Sequence, residues 1–479
     1  MEIDEIVRSR GWELHYERER PVPMQKGTQN MTVGSVRRAI VSFAMPIFLS
    51  QLFQQLYNTA DSVIVGNLLG KQALAAVSSS ASLLQLLTSL MIGIALGAGV
   101  VISRYFGAED YDTLSQAIHT TAAFGLIAGA ALTVVGVLLS PTLLRWMGTA
   151  PDVMDNSVIY FRNYFLGSMA VMLYNVFTGI MNALGDSRRP LYYLMLSSVL
   201  NVVLDLLFIG VFHLGVGSAA VATVISQAVS ALLSYLHLRK PGTIYQLQLR
   251  KLRFYPGLMP EIVRMGLPTG VQNSVIALAN VLVQSYINSF GSDTTAACGT
   301  YAKLQGFGFL PITSFALALT TFVSQNLGAK QYERTRQGAR FGILATVIMA
   351  EIIGVLMVIF AVPMAKLFNR DPEVVRIAVS QTRIENLFFF LLAFSHAIAG
   401  VCRGAGRATV PMLVMLSSWC VFRIIFISIV MTILRDIRVL FWCYPLTWAI
   451  SSAIFLVYYL KSDWVHGFEH PHAHFALHH

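Results

Sequence analysis

This chain has few charged residues and few cysteines, and it lacks the short motifs that mark several large enzyme classes. Only 12% of its 479 residues are charged, about half the usual share of a soluble globular protein. The four cysteines lie in or beside apolar segments without a CxxC pair, which excludes a disulfide framework. The P-loop motif GxxxxGK, the zinc-protease motif HExxH and the hydrolase motif GxSxG are absent, so we predict that the chain is not an enzyme.

Long apolar runs dominate what is present. Hydrophobic residues make up 55% of the chain, and twelve segments near the length of about 20 residues that crosses a bilayer can be placed along it. The composition therefore predicts an all-α polytopic membrane protein. A net charge of +10 would suggest a nucleic-acid partner in a soluble protein, but here the basic residues cluster after the even-numbered segments. The positive-inside rule then predicts a cell-membrane protein with both termini and the basic connections in the cytoplasm, and no nucleic-acid partner.

The two ends of the chain are polar. Residues 1–34 lack the apolar core of a cleavable signal peptide and predict a cytoplasmic extension that is disordered. Residues 462–479 form a His-rich tail, for which weak metal binding and a disordered tail are both open. No metal site is predicted elsewhere.

An internal repeat divides the apolar part of the chain. RYFGAEDY at 104–111 recurs as QNLGAKQY at 325–332, and MNALGDSRRP at 181–190 recurs as CRGAGRATVP at 402–411, with a spacing of roughly 221 residues. Because each half holds an even number of segments, the two halves have parallel topology and can enclose a central cleft. The predicted units are an N-terminal lobe of six helices, a cytoplasmic linker and a C-terminal lobe of six helices, at residues 35–238, 239–258 and 259–461.

Polar side chains follow one face of the first apolar segment. Gln54, Tyr57, Asn58 and Asp61 are spaced i, i+3, i+4 and i+7, which places them on one side of a helix. A carboxylate within a membrane costs about 2.5–3.5 kcal/mol, and such residues usually face a cavity or a partner. A position at the headgroup level, where the cost would be small, is the alternative.

The fifth segment carries a second acid, Asp205, one helical turn after Asn201. If the two halves are aligned at a constant spacing, each residue of the first half shares a column with one residue of the second half. The columns of Asn201 and Asp205 then contain Phe422 and Phe426, and the column of Asp61 contains an apolar residue near Leu282. The fold therefore does not require acids at these places, which favours a functional role for them.

Depth in the membrane places these groups in one layer. If the termini are inside, Asp61, Asp205 and Thr223 lie about 7–12 Å below the outer surface, at 1.5 Å per helical residue. Asn201 extends the cluster inwards. Two carboxylates with amide and hydroxyl oxygens suit a hard cation such as Na⁺, and the same pair can share a proton. The residues leave both possibilities open.

These residues resemble the sequence signature of the multidrug and toxic compound extrusion (MATE) transporters. The Pro-x14-Asp element from Pro46 to Asp61, followed by VGNLLGKQALAAVS, is similar to the first-helix signature of that family. The GAGR-like turns after segments four and ten and the Asn-x3-Asp of segment five are similar too. The resemblance covers roughly residues 35–460. It implies twelve helices in two lobes and export of amphipathic, often cationic compounds, driven by inward Na⁺ or H⁺ flow.

The resemblance also implies roles for single residues. Those that match the cation- or proton-coupling site of the family's N-terminal lobe are Asp61, Asn201, Asp205 and Thr223. Those that match its substrate cavity, or share a helical face with such a residue, are Gln54, Tyr57, Asn58, Asn175 and Asn182. Some members have an acidic residue early in segment seven, which this chain lacks, so coupling through that position is not expected.

Three charged residues lie near mid-membrane in the second half: Lys303, Glu351 and Arg423. Because a lone buried charge is costly, mutual pairing of Glu351 with Arg423 is the economical interpretation, and a role at the cleft is the alternative. Lys303 can face the cleft or extend its amine towards the membrane surface.

The sequence thus predicts a secondary active antiporter of small organic compounds in the lipid bilayer. It predicts no cofactor beyond a coupling H⁺ or Na⁺. A lipid-linked saccharide flippase of the same superfamily is the alternative, and a membrane-embedded enzyme or an ion channel would be a different class. Because two lobes of one chain already complete a cleft, a monomer is expected.

Overall fold

The structure is a computed structural model that describes residues 29–146, 149 and 151–468, and these residues form α-helices joined by short connections. The N-terminal lobe contains α1 Val36–Leu68, α2 Lys71–Gly107, α3 Tyr111–Trp146, α4 Pro151–Leu166, α5 Ser168–Ala183, α6 Arg188–Asp205 and α7 Gly217–Leu238. The C-terminal lobe contains α8 Leu258–Asn288, α9 Ser292–Gly328, α10 Tyr332–Ile359, α11 Ala361–Phe368, α12 Pro372–Asn386, α13 Phe389–Gly404, α14 Thr409–Met415, α15 Arg423–Ile433 and α16 Ile437–Lys461.

The helices of the described residues account for the predicted membrane spans. Ten are long and apolar enough to cross a membrane, and the number rises to twelve if each of two bent pairs forms one span. The bent pairs are α4 with α5, at 51°, and α12 with α13, at 53°. Because a helix satisfies its backbone hydrogen bonds internally, apolar segments of this length are stable in hydrocarbon. The predicted all-α fold, with twelve transmembrane helices in two six-helix lobes related by an internal repeat, is confirmed.

The two lobes meet at the crossing of α2 and α8. We call the face of the bundle at which α1 begins the near face, and the opposite face the far face. A Cβ atom at Gly97 would lie 2.3 Å from the backbone nitrogen of Gly266, so only glycine permits this approach. Closer to the near face, Arg104 Nη1 of α2 lies 2.9 Å from Glu261 Oε1 of α8. The lobes are therefore joined in the half of the bundle that adjoins the near face.

The chain before α1 is packed against the C-terminal lobe. The backbone N–H of Met31 donates to Gln325 Oε1 at 3.1 Å, and its carbonyl oxygen accepts from Asn326 Nδ2 at 3.2 Å. Met31 is fully buried. The prediction of a disordered extension was therefore wrong for residues 29–34, because their backbone groups find partners in the folded protein. Residues 1–28 lie outside the described residues.

The start of the predicted tail is packed as well. The rings of Tyr459 and Trp464 are stacked with their centroids 5.3 Å apart, and Trp464 is buried. The tail therefore does not begin at 462, because residues 462–468 belong to the folded near face. Residues 469–479, with most of the histidines, lie outside the described residues.

Two π-helical turns interrupt equivalent helices of the two lobes at different places. In the N-terminal lobe, α6 continues into a π-helical turn at Leu206–Val211, immediately after Asp205. In the C-terminal lobe the π-helical turn lies earlier, at Leu416–Phe422. Such a turn accommodates one extra residue in a helix. A constant spacing between the two halves therefore fails beyond Leu416.

This insertion corrects the predicted repeat columns. Asn201 and Asp205 are buried, and the buried residues one position beyond the predicted columns are Arg423 and Ile427. The predicted Phe422 and Phe426 are only partly buried. The equivalents of Asn201 and Asp205 are therefore Arg423 and Ile427. The conclusion that the second lobe lacks the acid pair holds, but its column contains an arginine that the constant spacing missed.

Candidate functional site

A cavity of about 440 Å³ lies within the N-terminal lobe. The predicted residues that line it are Gln54, Tyr57, Asn58, Asp61, Asn175 and Thr223. The first four project from α1, as their helical spacing predicts, while Asn175 comes from α5 and Thr223 from α7. The structure thus brings together residues from three helices of one lobe.

Asp61 and Asp205 form the acidic centre of this site. Their carboxyl groups are close enough for the charge of one to act on the other, and both side chains are buried. Among the described residues, no donor reaches Asp61 Oδ1 or either carboxyl oxygen of Asp205. Because neighbouring negative charges repel strongly where water is scarce, the pair is stable when it shares a proton or a cation.

Asn201 and Thr223 supply the neutral oxygens of the cluster. Asn201 Nδ2 donates to Thr223 Oγ1 at 3.3 Å, and Thr223 Oγ1 donates to the carbonyl oxygen of Ala219 at 3.1 Å. The amide nitrogen of Asn201 is therefore engaged. Its Oδ1 accepts no hydrogen bond among the described residues and is available to a cation. Oxygen atoms of this kind are the ligands that Na⁺ and other hard cations prefer.

The π-helical turn after α6 positions Asp205. Asp205 is the last residue of α6, and the wider turn begins with the next residue, Leu206. Single π turns inside α-helices are frequent at functional sites, because they change the direction of the side chains beside them. The placement of Asp205 at this point accords with a functional role.

Gln227 completes the polar wall and was missed by the sequence analysis. It lies on α7 one turn after Thr223 and lines the cavity. Tyr57 of α1 and Gln227 of α7 line the same cavity. The signal in the sequence was the i, i+4 spacing of Thr223 and Gln227 on the sixth segment.

Aromatic rings form much of the remaining wall. Tyr160 and Tyr164 of α4 and Tyr174 of α5 line the cavity beside Tyr57. The described lining residues include Asp61 but neither lysine nor arginine. The site therefore combines negative charge, amide and hydroxyl groups, and the faces of aromatic rings.

Two predicted residues lie elsewhere. Asn182 was expected in the cavity, but it lies near the end of α5 at Ala183, about two helical turns beyond Asn175 and towards the near face. It is not among the described lining residues. Lys303 is exposed, with Nζ 5.7 Å from the ring centroid of Phe368. The cation–π contact places Lys303 beside α11, and its position at the cleft or towards the membrane surface stays a prediction.

The predicted pair of Glu351 and Arg423 does not form. Glu351 accepts from the backbone N–H of Phe390 at 3.2 Å and is partly exposed. Arg423 is buried and donates to Asn280 Oδ1 at 3.4 Å and to Thr447 Oγ1 at 3.3 Å. The prediction was wrong because Glu351 contacts the start of α13, whereas Arg423 contacts α8 and α16.

Glu385 is the acid that accompanies Arg423. It is fully buried on α12 and accepts from Gln381 Nε2 at 2.8 Å. The nearby Tyr301 hydroxyl donates to Asn386 Oδ1 at 2.8 Å, and Arg423 is close enough for its charge to act on the carboxyl group of Glu385. Where the N-terminal lobe has two facing acids, the C-terminal lobe thus contains one acid and one arginine.

Comparison with known proteins relates this chain to a transporter family. The MatE family model matches it twice, over residues 46–207 and 268–429. The chain is 31% identical to the probable multidrug resistance protein YoeA of Bacillus subtilis (strain 168), over 80% of this chain and 84% of YoeA. It is 23% identical to an FAD transporter of Shewanella oneidensis, over 78% of this chain and 81% of that protein.

A solved structure has the same fold. An outward-facing conformation of a multidrug resistance MATE family transporter superposes with a TM-score of 0.84, over 91% of this chain and 97% of that one, at 24% identity. The two family matches are equally long and begin 222 residues apart, at Pro46 and Pro268. Asn201 and Arg423 are separated by the same spacing.

Proposed function

This chain belongs to the MATE family of transporters, and we propose that it is a secondary active antiporter exporting amphipathic, often cationic organic compounds. The observation that carries the proposal is the cavity of the N-terminal lobe, where the pair Asp61 and Asp205 adjoins a wall of tyrosines and amides. Multidrug resistance is also what the name of the relative YoeA describes.

The lining of the cavity supports a cationic substrate. Aromatic faces attract organic cations, by about 0.5–2 kcal/mol each, and Asp61 contributes negative charge when it is ionised. An anionic dinucleotide, the substrate named for the relative from Shewanella oneidensis, would instead favour basic side chains. The described lining residues include neither lysine nor arginine, so the cavity of this chain fits a cation better.

The coupling ion, H⁺ or Na⁺, would bind at Asp61, Asn201, Asp205 and Thr223. The site needs no further cofactor, because a proton or a cation satisfies the facing carboxyl groups directly. A cationic substrate in the same cavity competes for the same negative charge. Binding of the ion therefore favours release of the substrate, and the ion gradient across the membrane makes transport directional.

Alternating access would move the two lobes against each other. The contacts Gly97–Gly266 and Arg104–Glu261 join the lobes on the side of the near face, and we infer that this conformation opens towards the far face. The positive-inside rule places the near face, with both termini and the basic connections, in the cytoplasm. The conformation is then outward-facing. One chain supplies both lobes, and a monomer suffices for this cycle.

Ethidium efflux from energised vesicles tests the proposal. We expect efflux under an imposed pH or Na⁺ gradient, and the effective gradient identifies the coupling ion. Asp205→Asn should abolish gradient-driven efflux, while Glu351→Gln, which removes a carboxyl group outside the cavity, should retain it. Normal efflux by Asp205→Asn would contradict the coupling site. If folded wild-type protein moved no dye under either gradient, the export of organic cations would be refuted and flipping of a lipid-linked saccharide would be tested instead.

A further inference from the structure

The connection between the two lobes contains a cavity that the transport cycle does not use. It has a volume of about 530 Å³ and lies where α7 ends and the connection to α8 turns back on it. Its polar lining comprises Arg239 at the end of α7, Arg250 in the 3₁₀ turn Leu249–Lys251, Gln246 and Gln248. A polar cavity with two arginines is a candidate site for an anion.

The wall of this cavity is held in place by the N-terminal lobe. The backbone N–H of Gln248 donates to His119 Nε2 at 3.0 Å, and His119 Nδ1 in turn donates to the carbonyl oxygen of Ser115 at 2.6 Å. The N–H of Leu247 donates to the carbonyl oxygen of Leu238 at 2.8 Å, and Leu247 is buried. The cavity is therefore preformed rather than created by its occupant.

The two arginines have no acidic partner within the part of the chain that the structure describes. Both Arg239 and Arg250 are exposed. The sequence contains no aspartate or glutamate between Asp205 and Glu261, although five basic residues lie in that stretch, at Arg239, Lys240, Arg250, Lys251 and Arg253. Guanidinium groups that are not engaged within the protein favour an external anion, above all a phosphate.

The surface beside the cavity indicates that this phosphate belongs to a lipid. Leu232 and Leu236 on α7 are 55% and 48% exposed, and together with Arg239 they follow the spacing i, i+4, i+7. An apolar stripe on a membrane helix thus leads directly to the first arginine. Leu249, next to Arg250, is 60% exposed and extends the apolar surface on the other side of the cavity.

We propose that an anionic glycerophospholipid of the near-face leaflet binds here, with its phosphate between Arg239 and Arg250 and an acyl chain along Leu232 and Leu236. Gln246 and Gln248 offer further polar groups to the headgroup. The interaction would hold the connection between the lobes at the membrane surface. The lipid site is remote from the acidic cavity, so the test of lipid binding does not depend on the identity of the transported substrate.

Native mass spectrometry of the full-length protein in detergent tests this site. Phosphatidylglycerol and phosphatidylcholine with the same acyl chains are added to wild-type protein and to Arg239→Gln/Arg250→Gln. The matched control is Arg370→Gln/Arg435→Gln, which removes two exposed arginines at the far face. We expect wild type and control to prefer phosphatidylglycerol, and the double variant to bind it about 25-fold more weakly, since each of the two arginines strengthens binding to anionic lipid about fivefold.

Several results would overturn the proposal. One is equal binding of the two lipids by wild-type protein, an outcome that does not depend on whether any variant folds. Another is unchanged binding of phosphatidylglycerol by the double variant. A third is displacement of the lipid by millimolar glycerol 3-phosphate. This compound has the phosphate but no acyl chains, so displacement by it would show that the site binds a free anion. Failure to displace it supports the lipid.

Discussion

Arg334 holds the backbone carbonyl oxygen of Met31 with two nitrogen atoms, Nε at 3.1 Å and Nη2 at 2.8 Å. The same guanidinium group donates to the carbonyl oxygen of Gly34 from Nη1 at 2.7 Å. Arg334 belongs to α10 of the C-terminal lobe, whereas Met31 leads into α1 of the N-terminal lobe. On its other side, the N–H of Gln29 donates to the carbonyl oxygen of Gly185 in the N-terminal lobe. Residues 29–34 thus connect the two lobes across the near face.

Loss of this arginine should loosen the near face. We predict that Arg334→Ala increases the reactivity of a cysteine introduced at Met31 towards a membrane-impermeant maleimide by about tenfold, since hydrogen bonds to a charged group contribute about 1.5–3 kcal/mol each. The native thiols Cys298, Cys402, Cys420 and Cys443 are all buried and give little background.

The control for this experiment is two residues away on the same helix. Arg336 pairs with Glu333 on the surface, so Arg336→Ala removes the same charge without touching residues 29–34. Its labelling rate should equal that of the parent. Equal rates for Arg334→Ala and Arg336→Ala would show that Arg334 does not keep the near face closed.

The part of the site on α1 could be predicted from the sequence, because its pattern lies within a single helix. A helical period suffices to place Gln54, Tyr57, Asn58 and Asp61 on one face of α1, and the structure places all four at the cavity. The roles assigned to these residues in coupling and substrate binding remain predictions. The internal repeat likewise predicts two lobes, because it depends only on similarity along the chain.

The misplaced residues depend on features that a linear pattern does not contain. The π-helical turn at Leu416–Phe422 adds one residue to a helix, so a constant spacing assigned Phe422 where the structure has Arg423. Glu385 was not singled out from the sequence, because it lies near the start of an apolar segment, where a polar residue is typical of the membrane surface. In the structure it is fully buried on α12, which meets α13 at a bend of 53°. Both outcomes require knowledge of the helix geometry.

The glycine crossing between α2 and α8 predicts a sharp contrast between two neighbouring glycines. A Cβ atom at Gly97 would lie 2.3 Å from the backbone of Gly266, whereas one at Gly99 would be 3.9 Å from its nearest neighbour. We expect Gly97→Ala to destabilise this conformation by about 1–3 kcal/mol, the usual effect of overpacking. Gly99→Ala, the matched control, should behave as wild type.

Limited proteolysis at the near face and ethidium efflux measure the effect of these two substitutions. Gly97→Ala should be cleaved faster in the connection between α7 and α8 and should export less dye. Equal results for Gly97→Ala and Gly99→Ala in both measurements would show that the close approach of α2 and α8 at Gly97 does not control how the lobes separate.

Thr223 should tune the affinity for the coupling ion without abolishing transport. Its hydroxyl oxygen accepts the hydrogen bond of Asn201 at 3.3 Å, so Thr223→Val leaves a buried amide N–H without that partner. Such a loss costs about 1–3 kcal/mol. We therefore predict that the ion concentration for half-maximal efflux rises by about tenfold in Thr223→Val. Thr223→Ser keeps the hydroxyl group and should restore a value near that of wild type, and equal values for valine and serine would exclude this role.

The buried polar groups of the C-terminal lobe predict coupling between Glu385 and Arg423. Arg423→Leu removes the nearby positive charge that acts on the buried carboxyl group of Glu385, which should destabilise the protein by about 0.5–3 kcal/mol, the usual range for coupled neighbours. Glu385→Gln/Arg423→Leu removes both groups and should be more stable than Arg423→Leu alone. The thermal midpoint, followed through the exposure of the buried cysteine thiols, measures each variant.

A double-mutant cycle isolates the interaction of these two residues from the other bonds of the arginine. Arg423 also donates to Asn280 and Thr447, and those bonds are lost equally in the single and double variants that carry leucine. A thermal midpoint of Glu385→Gln/Arg423→Leu as low as that of Arg423→Leu would show that the two charges act independently. A recovered midpoint would show that Arg423 stabilises the buried carboxyl group of Glu385.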